Sequence, residues 1–254
     1  MQSSISYDKL HNNSGVSLCK VVGEGGSALV YSGTYYGREV AVKLPKLAGS
    51  IEREIECEAG FLTKLRHPNI TTCFGVVRFD QCVGLVLELA RTTLSQRLKS
   101  PETSLKQKFS YARDICAGFA YLHTIGVIHR DLHVGNILIT ADEHAKLCDF
   151  ASSYLHRGDE ISRRYAFIDR LRLGFVFHAI YCSEVYDSDV LGQLISRIED
   201  IKITSIGEAD PVQYARDLCW KSEDRETREF IRQLCVAFIV RDSLLQRFKL
   251  WQTG

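Results

Sequence analysis

The 254-residue sequence carries almost no net charge, with 32 Lys and Arg against 31 Asp and Glu, a formal +1 at pH 7. A nucleic-acid backbone needs a concentrated positive field, so nucleic acid is not expected among its partners. Long apolar runs are also lacking. The longest, LRLGFVFHAIYC at residues 171–182, is too short to span a bilayer and carries Arg172 inside it, so it predicts a buried helix rather than a membrane span. The opening MQSSISYDKLHNNSG lacks the apolar core of a signal peptide, and Gln2 stands where myristoylation needs glycine. No C-x-x-C pair occurs. The nine cysteines, at 19, 57, 73, 82, 116, 148, 182, 219 and 235, are odd in number and scattered through apolar stretches. They predict reduced core thiols instead of zinc ligands or disulfides, and hence a reducing, cytoplasmic compartment.

What is present suits an ordinary globular chain: 45% apolar, 25% charged and 10% aromatic residues, without repeats or low-complexity linkers. A chain of this length buries roughly 70–75% of its unfolded surface and makes one large domain or two lobes. From Leu18 to Leu89 the apolar period is two, in LCKVVGEG, SALVYSGTYYG, REVAVKL, TCFGVVRF and CVGLVLEL, which predicts an antiparallel sheet. One helix interrupts it at 51–65, IEREIECEAGFLTKL. There Ile51, Ile55, Leu62 and Leu65 lie within about 40° of one direction, and Glu58 falls in the middle of that stripe. After Thr92 the period is helical, with Leu105, Phe109, Ala112, Cys116 and Phe119 on one face and Gly126 as a C-cap. A β-rich lobe therefore joins an α-rich lobe near residues 88–92.

Four constellations carry chemistry. Gly23, Gly25 and Gly26 lie in VGEGGSALV between two strands. That context excludes a Walker or dinucleotide loop, which opens a helix, and fits either a plain hairpin turn or a glycine-rich flap over phosphates. In REVAVK, Ala41 and Lys43 share one face of a strand. Glu58 on a buried stripe is costly without a cation, and Lys43 is its natural partner. His129, Arg130, Asp131 and Asn136 in VIHRDLHVGNILI, with Asp149 at the end of AKLCDFA, set two carboxylates and a carboxamide at strand ends. Phosphoryl transfer uses such a set, a base for the incoming hydroxyl and oxygen ligands for magnesium. His129 and His133 lack the H-E-x-x-H pattern of a zinc site.

Taken in order, VGEGGSALV, AVK, Glu58 ahead of LRHPNI, HRDLHVGN and DFA resemble the protein kinase superfamily, most like its tyrosine-kinase-like branch. The resemblance implies an α+β, two-lobed fold. Residues 1–17 would form a polar tail and 18–254 the kinase domain, with the N-lobe at 18–89 and the C-lobe at 90–254. It also implies ATP and Mg2+ as cofactors and a protein substrate. Lys43 would hold the α- and β-phosphates and pair with Glu58, beneath Gly23, Gly25 and Gly26. Asp131 would be the catalytic base, while Asn136 and Asp149 would hold magnesium. Val30, Ala41 and Leu138 would sandwich the adenine, and Glu88 and Ala90 would present backbone groups to it. His129, Phe150 and Leu62 would pack in the interior.

After residue 151 the likeness weakens. No A-P-E signature is present, and Asp169, five residues before Gly174, matches the family's aspartate on the helix that follows the activation segment. Only 19 residues, 150–168, separate Asp149 from Asp169, too few for a full activation loop and peptide platform. In CWKSEDRETREF, Cys219, Trp220 and Phe230 resemble a later family helix, but Thr227 and Arg228 stand at its R-P positions. Ala28 replaces the third loop glycine, Ala151 the D-F-G glycine, and His133 the basic residue common two positions after the catalytic aspartate. Ala151 is expected to carry the strain of a positive φ. Three functions fit this pattern: an active protein kinase favouring Ser/Thr over Tyr, a pseudokinase acting as a nucleotide-binding or scaffold module, and a small-molecule phosphotransferase suggested by DLHVGN.

Overall fold

The computed structural model describes residues 15–46, 52–79 and 82–182. The period-two runs form β1 (Val16–Glu24), β2 (Ala28–Tyr35), β3 (Arg38–Pro45), β4 (Cys73–Phe79) and β5 (Cys82–Glu88). They pair antiparallel in the order β1-β2-β3-β5-β4, which puts β3 at the centre of the sheet. Alternation then sorts its side chains. Val40, Val42 and Leu44 join Val77 and Val86 on one face, whereas Ala41 joins Leu85 and Leu87 on the other.

The second face is covered by helix α1 (Glu52–Leu62), which buries Ile55, Ala59 and Leu62 against it. This helix ends three residues before the expected 65. The Thr63 hydroxyl donates to the Ala59 carbonyl, the Lys64 N–H bonds the Phe61 carbonyl, and the Arg66 guanidinium donates to the carbonyls of Leu62 and Leu65. Tightening and side-chain capping thus satisfy the last carbonyls. Ile51 lies outside the described residues.

Beyond Glu88 the chain enters β6 (Thr92–Thr93), α2 (Leu94–Leu98) and α3 (Leu105–Thr124). A reciprocal capping box of Ser104 and Gln107 starts α3, and Gly126 at φ 69° ends it. Midway, a Cβ on Gly118 would stand 2.8 Å from the Asn69 carbonyl oxygen, so glycine allows α3 to press against the segment before β4. The expected apolar face needs correction. Ala112, Cys116 and Phe119 are buried, but Phe109 is 61% exposed. The buried arc is centred between Ile115 and Phe119 and takes in Tyr111 and Leu122, leaving Phe109 about a quarter-turn from that centre, just beyond Cys116.

Five short elements and one long helix follow: β7 (Val127–Ile128), a 3-10 turn (Val134–Asn136), β8 (Ile137–Ile139), β9 (Ala145–Leu147), β10 (Tyr154–Leu155) and α4 (Glu160–Cys182). Strands β6, β8 and β9 form one small sheet, and β7 pairs with β10, a two-residue strand too short to leave a periodic signal. The apolar run expected as a buried helix lies in α4, where Leu171, Leu173, Val176 and Phe177 are buried. The architecture is α+β and two-lobed. No helix among the described residues is long and apolar enough to cross a membrane. Of the six cysteines whose side chains are described, all free, only Cys82 and Cys116 are buried. Cys19 is exposed because β1 is a sheet edge, so the expectation of core thiols holds only in part.

The revised α3 face yields a paired prediction. Ile115→Ala, at a fully buried position, should lower unfolding free energy by about 2–5 kcal/mol. Phe109→Ala should stay within about 0.5 kcal/mol of wild type; urea unfolding followed by circular dichroism compares the two.

Candidate functional site

The centre of the site is an ammonium between two carboxylates. Strand β3 projects Lys43 from the same face as Ala41, toward α1, and α1 presents Glu58 from its buried stripe. Lys43 Nζ lies 2.7 Å from Glu58 Oε2 and 3.0 Å from Asp149 Oδ1. Glu58 is 1% exposed, so its charge depends on this pairing. Burial opposes the Lys43 charge, but Glu58 and Asp149 outweigh it and hold its pKa above the usual lysine range. Burial likewise pushes the Asp149 carboxyl up, and the Lys43 ammonium more than reverses this, leaving it below the usual carboxylate range.

Asp149 follows β9 with φ at 63°. That corrects the expectation for Ala151, which is not among the described residues with positive φ; the left-handed conformation lies two positions earlier, where a short acidic side chain tolerates it. Next to it, Phe150 is fully buried against His129, with ring centroids 4.8 Å apart. His129 Nε2 bonds the Cys148 carbonyl at 2.9 Å and Nδ1 accepts the Asp131 N–H at 3.3 Å. These two bonds place the ring proton on Nε2.

A clamp from α4 shapes the loop between β7 and the 3-10 turn. Asp169, 1% exposed, accepts the His129 N–H at 2.5 Å and the Arg130 N–H at 2.6 Å. Arg130 is thereby held at φ 68°, with its guanidinium 4.2 Å from the centroid of the Tyr165 ring. The Asp131 carboxylate accepts the Asn136 Nδ2 at 3.1 Å on Oδ2 and the Arg172 Nη1 at 3.1 Å on Oδ1. His133 turns inward: its Nδ1 accepts the Gly135 N–H at 3.1 Å, and burial lowers the pKa of its ring.

A cavity of about 490 Å3 lies over these groups. Gly25 and Gly26 border it with Lys43, Glu58, Asp131 and Asp149. At the tip of the glycine-rich loop, the Ser27 hydroxyl donates to Glu54 Oε2 at 3.1 Å, tying the loop to α1. The remaining expected residues lie outside this lining. Gly23 pairs with Val30 across β1 and β2, and Val30 pairs with Lys43 across β2 and β3. Ala41 is buried under α1, Leu138 is half-buried on β8, and Ala90 is half-buried between β5 and β6. Glu88 turns its carboxylate to Lys146 at 2.8 Å. Asn136 is beside the cavity, its amide nitrogen committed to Asp131.

Sequence reasoning missed the contact from Arg172 to Asp131. A signal existed, since Arg172 follows Asp169 by three positions and shares its helix face. It also missed the Ser27 to Glu54 tie, which joins a half-buried serine to an exposed glutamate without a periodic signature. Among the described residues, no group of three or more His, Cys, Asp or Glu forms a metal cluster. The oxygens of Asp149 and Asn136 nevertheless suit magnesium, a hard cation that keeps several waters and takes few protein ligands.

The family model described as protein tyrosine and serine/threonine kinase matches residues 16–166. Mitogen-activated protein kinase kinase kinase dlk-1 of Caenorhabditis briggsae is 35% identical over 147 residues, covering 57% of this chain and 16% of that protein. A probable serine/threonine-protein kinase of Encephalitozoon cuniculi is 37% identical over 141 residues, covering 54% of this chain and 26% of its own length. The RGS domain-containing serine/threonine-protein kinase A of Dictyostelium discoideum is 30% identical over 159 residues, covering 60% and 14%. The chain thus spans about a quarter or less of the length of these relatives.

The buried pair gives the second prediction. Lys43→Met leaves the Glu58 carboxylate without its cation and should cost about 3–5 kcal/mol of stability. Adding Glu58→Gln should recover part of that loss, making the double variant more stable than the sum of the single changes; urea midpoints of the four proteins measure the coupling.

Proposed function

The chain belongs to the protein tyrosine and serine/threonine kinase family, and on that premise we propose that it is an ATP-dependent protein kinase acting on a protein hydroxyl, serine or threonine in preference to tyrosine. Relatives named as serine/threonine-protein kinases support this acceptor class. The single observation that carries the reading is Lys43 held between Glu58 and Asp149, with Asp131 at the same cavity. We place the kinase domain at 18–254, with the lobes meeting at 89 and 90, and the chain in the tyrosine-kinase-like branch. Free thiols at the six cysteines whose side chains are described suit a reducing, cytoplasmic compartment.

In this reading the backbone of Gly23, Gly25 and Gly26 covers the triphosphate, and Lys43 grips its α- and β-phosphates. Val30, Ala41 and Leu138 enclose the adenine, with Glu88 and Ala90 offering backbone groups at the lobe junction. Magnesium held by Asn136 and Asp149 supplies charge neutralisation on the phosphate oxygens. Asp131 accepts the proton of the incoming hydroxyl as its oxygen bonds the γ-phosphorus. The bond from that phosphorus to the β–γ bridging oxygen breaks, and ADP departs with the electron pair. Asn136 steadies the Asp131 carboxylate through its amide. The family match favours a polypeptide over a low-mass alcohol as acceptor.

A nucleotide-binding module without turnover is the second reading. It is favoured by the brevity of the segment after Asp149, since α4 already begins at Glu160. Labelling with γ-labelled ATP and magnesium separates the two. Asp131→Asn should lower phosphate incorporation into protein by about 10²–10⁴-fold, with an unchanged circular dichroism spectrum and retained nucleotide binding. A folded wild-type protein that binds ATP but labels nothing favours the second reading.

A further inference from the structure

Arg172 leaves α4 from the same face as Asp169, one turn further along. Asp169 fixes the backbone of His129 and Arg130, and Arg172 reaches past them to the Asp131 side chain. Its Nη1 lies 3.1 Å from Asp131 Oδ1, and the Arg172 side chain is 16% exposed. The flanking Leu171 and Leu173 are buried. A guanidinium in such surroundings carries a large desolvation cost unless a carboxylate meets it. Its Nε is buried without a hydrogen-bond partner. Pairing with Asp131 is therefore incomplete, and an apolar residue would fill the position at less cost. A structural role alone does not account for the charge.

The opposite oxygen of Asp131 is held by Asn136 at 3.1 Å. His133 stands further off, 3.8 Å from Oδ2, with its Nδ1 turned to the Gly135 N–H. Among the described residues, the nearest cation to the carboxylate thus comes from α4, from a position distant in sequence. Asp131 keeps 40% of its side chain exposed, and each carboxylate oxygen accepts more than one hydrogen bond. An incoming hydroxyl can bond Asp131 while Arg172 stays in place.

We propose that Arg172 is a positioning residue for phosphoryl transfer, which fixes the Asp131 carboxylate through Oδ1 and supplies, from helix α4, the positive charge that His133 does not bring to it. The inference rests on the reading of Asp131 as the base that receives the hydroxyl proton. Misplacement of a reacting group by about 1 Å costs on the order of 10²-fold in rate, which sets the size of the expected effect.

The test compares kcat, KM for ATP, nucleotide affinity and melting temperature for wild type, Arg172→Leu, Arg172→Lys, and Arg172→Leu combined with His133→Lys. Arg172→Leu should lower kcat by about 10²-fold while nucleotide affinity and KM for ATP change little. Arg172→Lys should recover much of the loss, and so should the double variant, which returns a cation to Asp131 from the other side. Unchanged kcat in Arg172→Leu overturns the inference. Raised kcat also overturns it, and makes Arg172 a brake on the base. A loss that neither lysine restores, accompanied by a lowered melting temperature, reduces Arg172 to a packing element and overturns it too. If wild type shows no transfer at all, the reading of Asp131 falls and takes the positioning role with it.

Discussion

The Lys43 ammonium, shared between Glu58 and Asp149, is the contact on which the arrangement of the molecule turns. It is the point where strand β3, helix α1 and the segment after β9 meet, three pieces of chain with no covalent reason to be adjacent. Glu58 is buried to a degree that free carboxylates do not sustain. The helix bearing it therefore settles only where β3 offers the cation. Apolar burial of Ile55, Ala59 and Leu62 brings α1 to the sheet, and the ion pair selects its rotation and register. Asp149, more open to water, adds the α-rich lobe to the same cation.

A second constraint acts from below. Two residues in the left-handed region, Arg130 and Asp149, stand on either side of the buried His129 and Phe150 rings. Neither is glycine, so each position stores conformational strain. The strain is held by partners that determine the backbone independently. Asp169 binds both amides at 129 and 130, and Lys43 binds the Asp149 carboxylate. One long helix, α4, thus acts on the backbone of the loop through Asp169 and on its side chain through Arg172.

Much of this was legible in the sequence, for reasons that differ from residue to residue. The five strands of the sheet could be read because short apolar β-type runs are split by glycine or polar turns, although β5, buried along nearly its whole length, shows no alternation in its burial. Glu58 was identifiable as buried because its angle on the helix lay among isoleucine and leucine, and one cation on the facing strand could answer it. Phe109 was misplaced because it lies only a short angle beyond Cys116, and the edge of a helical stripe is decided by what packs opposite it. The strain assigned to Ala151 was carried over from the family pattern, whereas the local backbone places it at Asp149. Polar pairings such as Ser27 with Glu54 left no periodic trace, because they depend on how loops are brought together. The resemblance in residues 219–230 falls outside the described residues.

The bond from Ser27 to Glu54 joins the tip of the glycine-rich loop to the helix that bears Glu58, one turn upstream of it. An exposed hydrogen bond contributes on the order of 1 kcal/mol, so it gives the loop tip a modest bias toward its seat on the helix that also bears the buried ion pair.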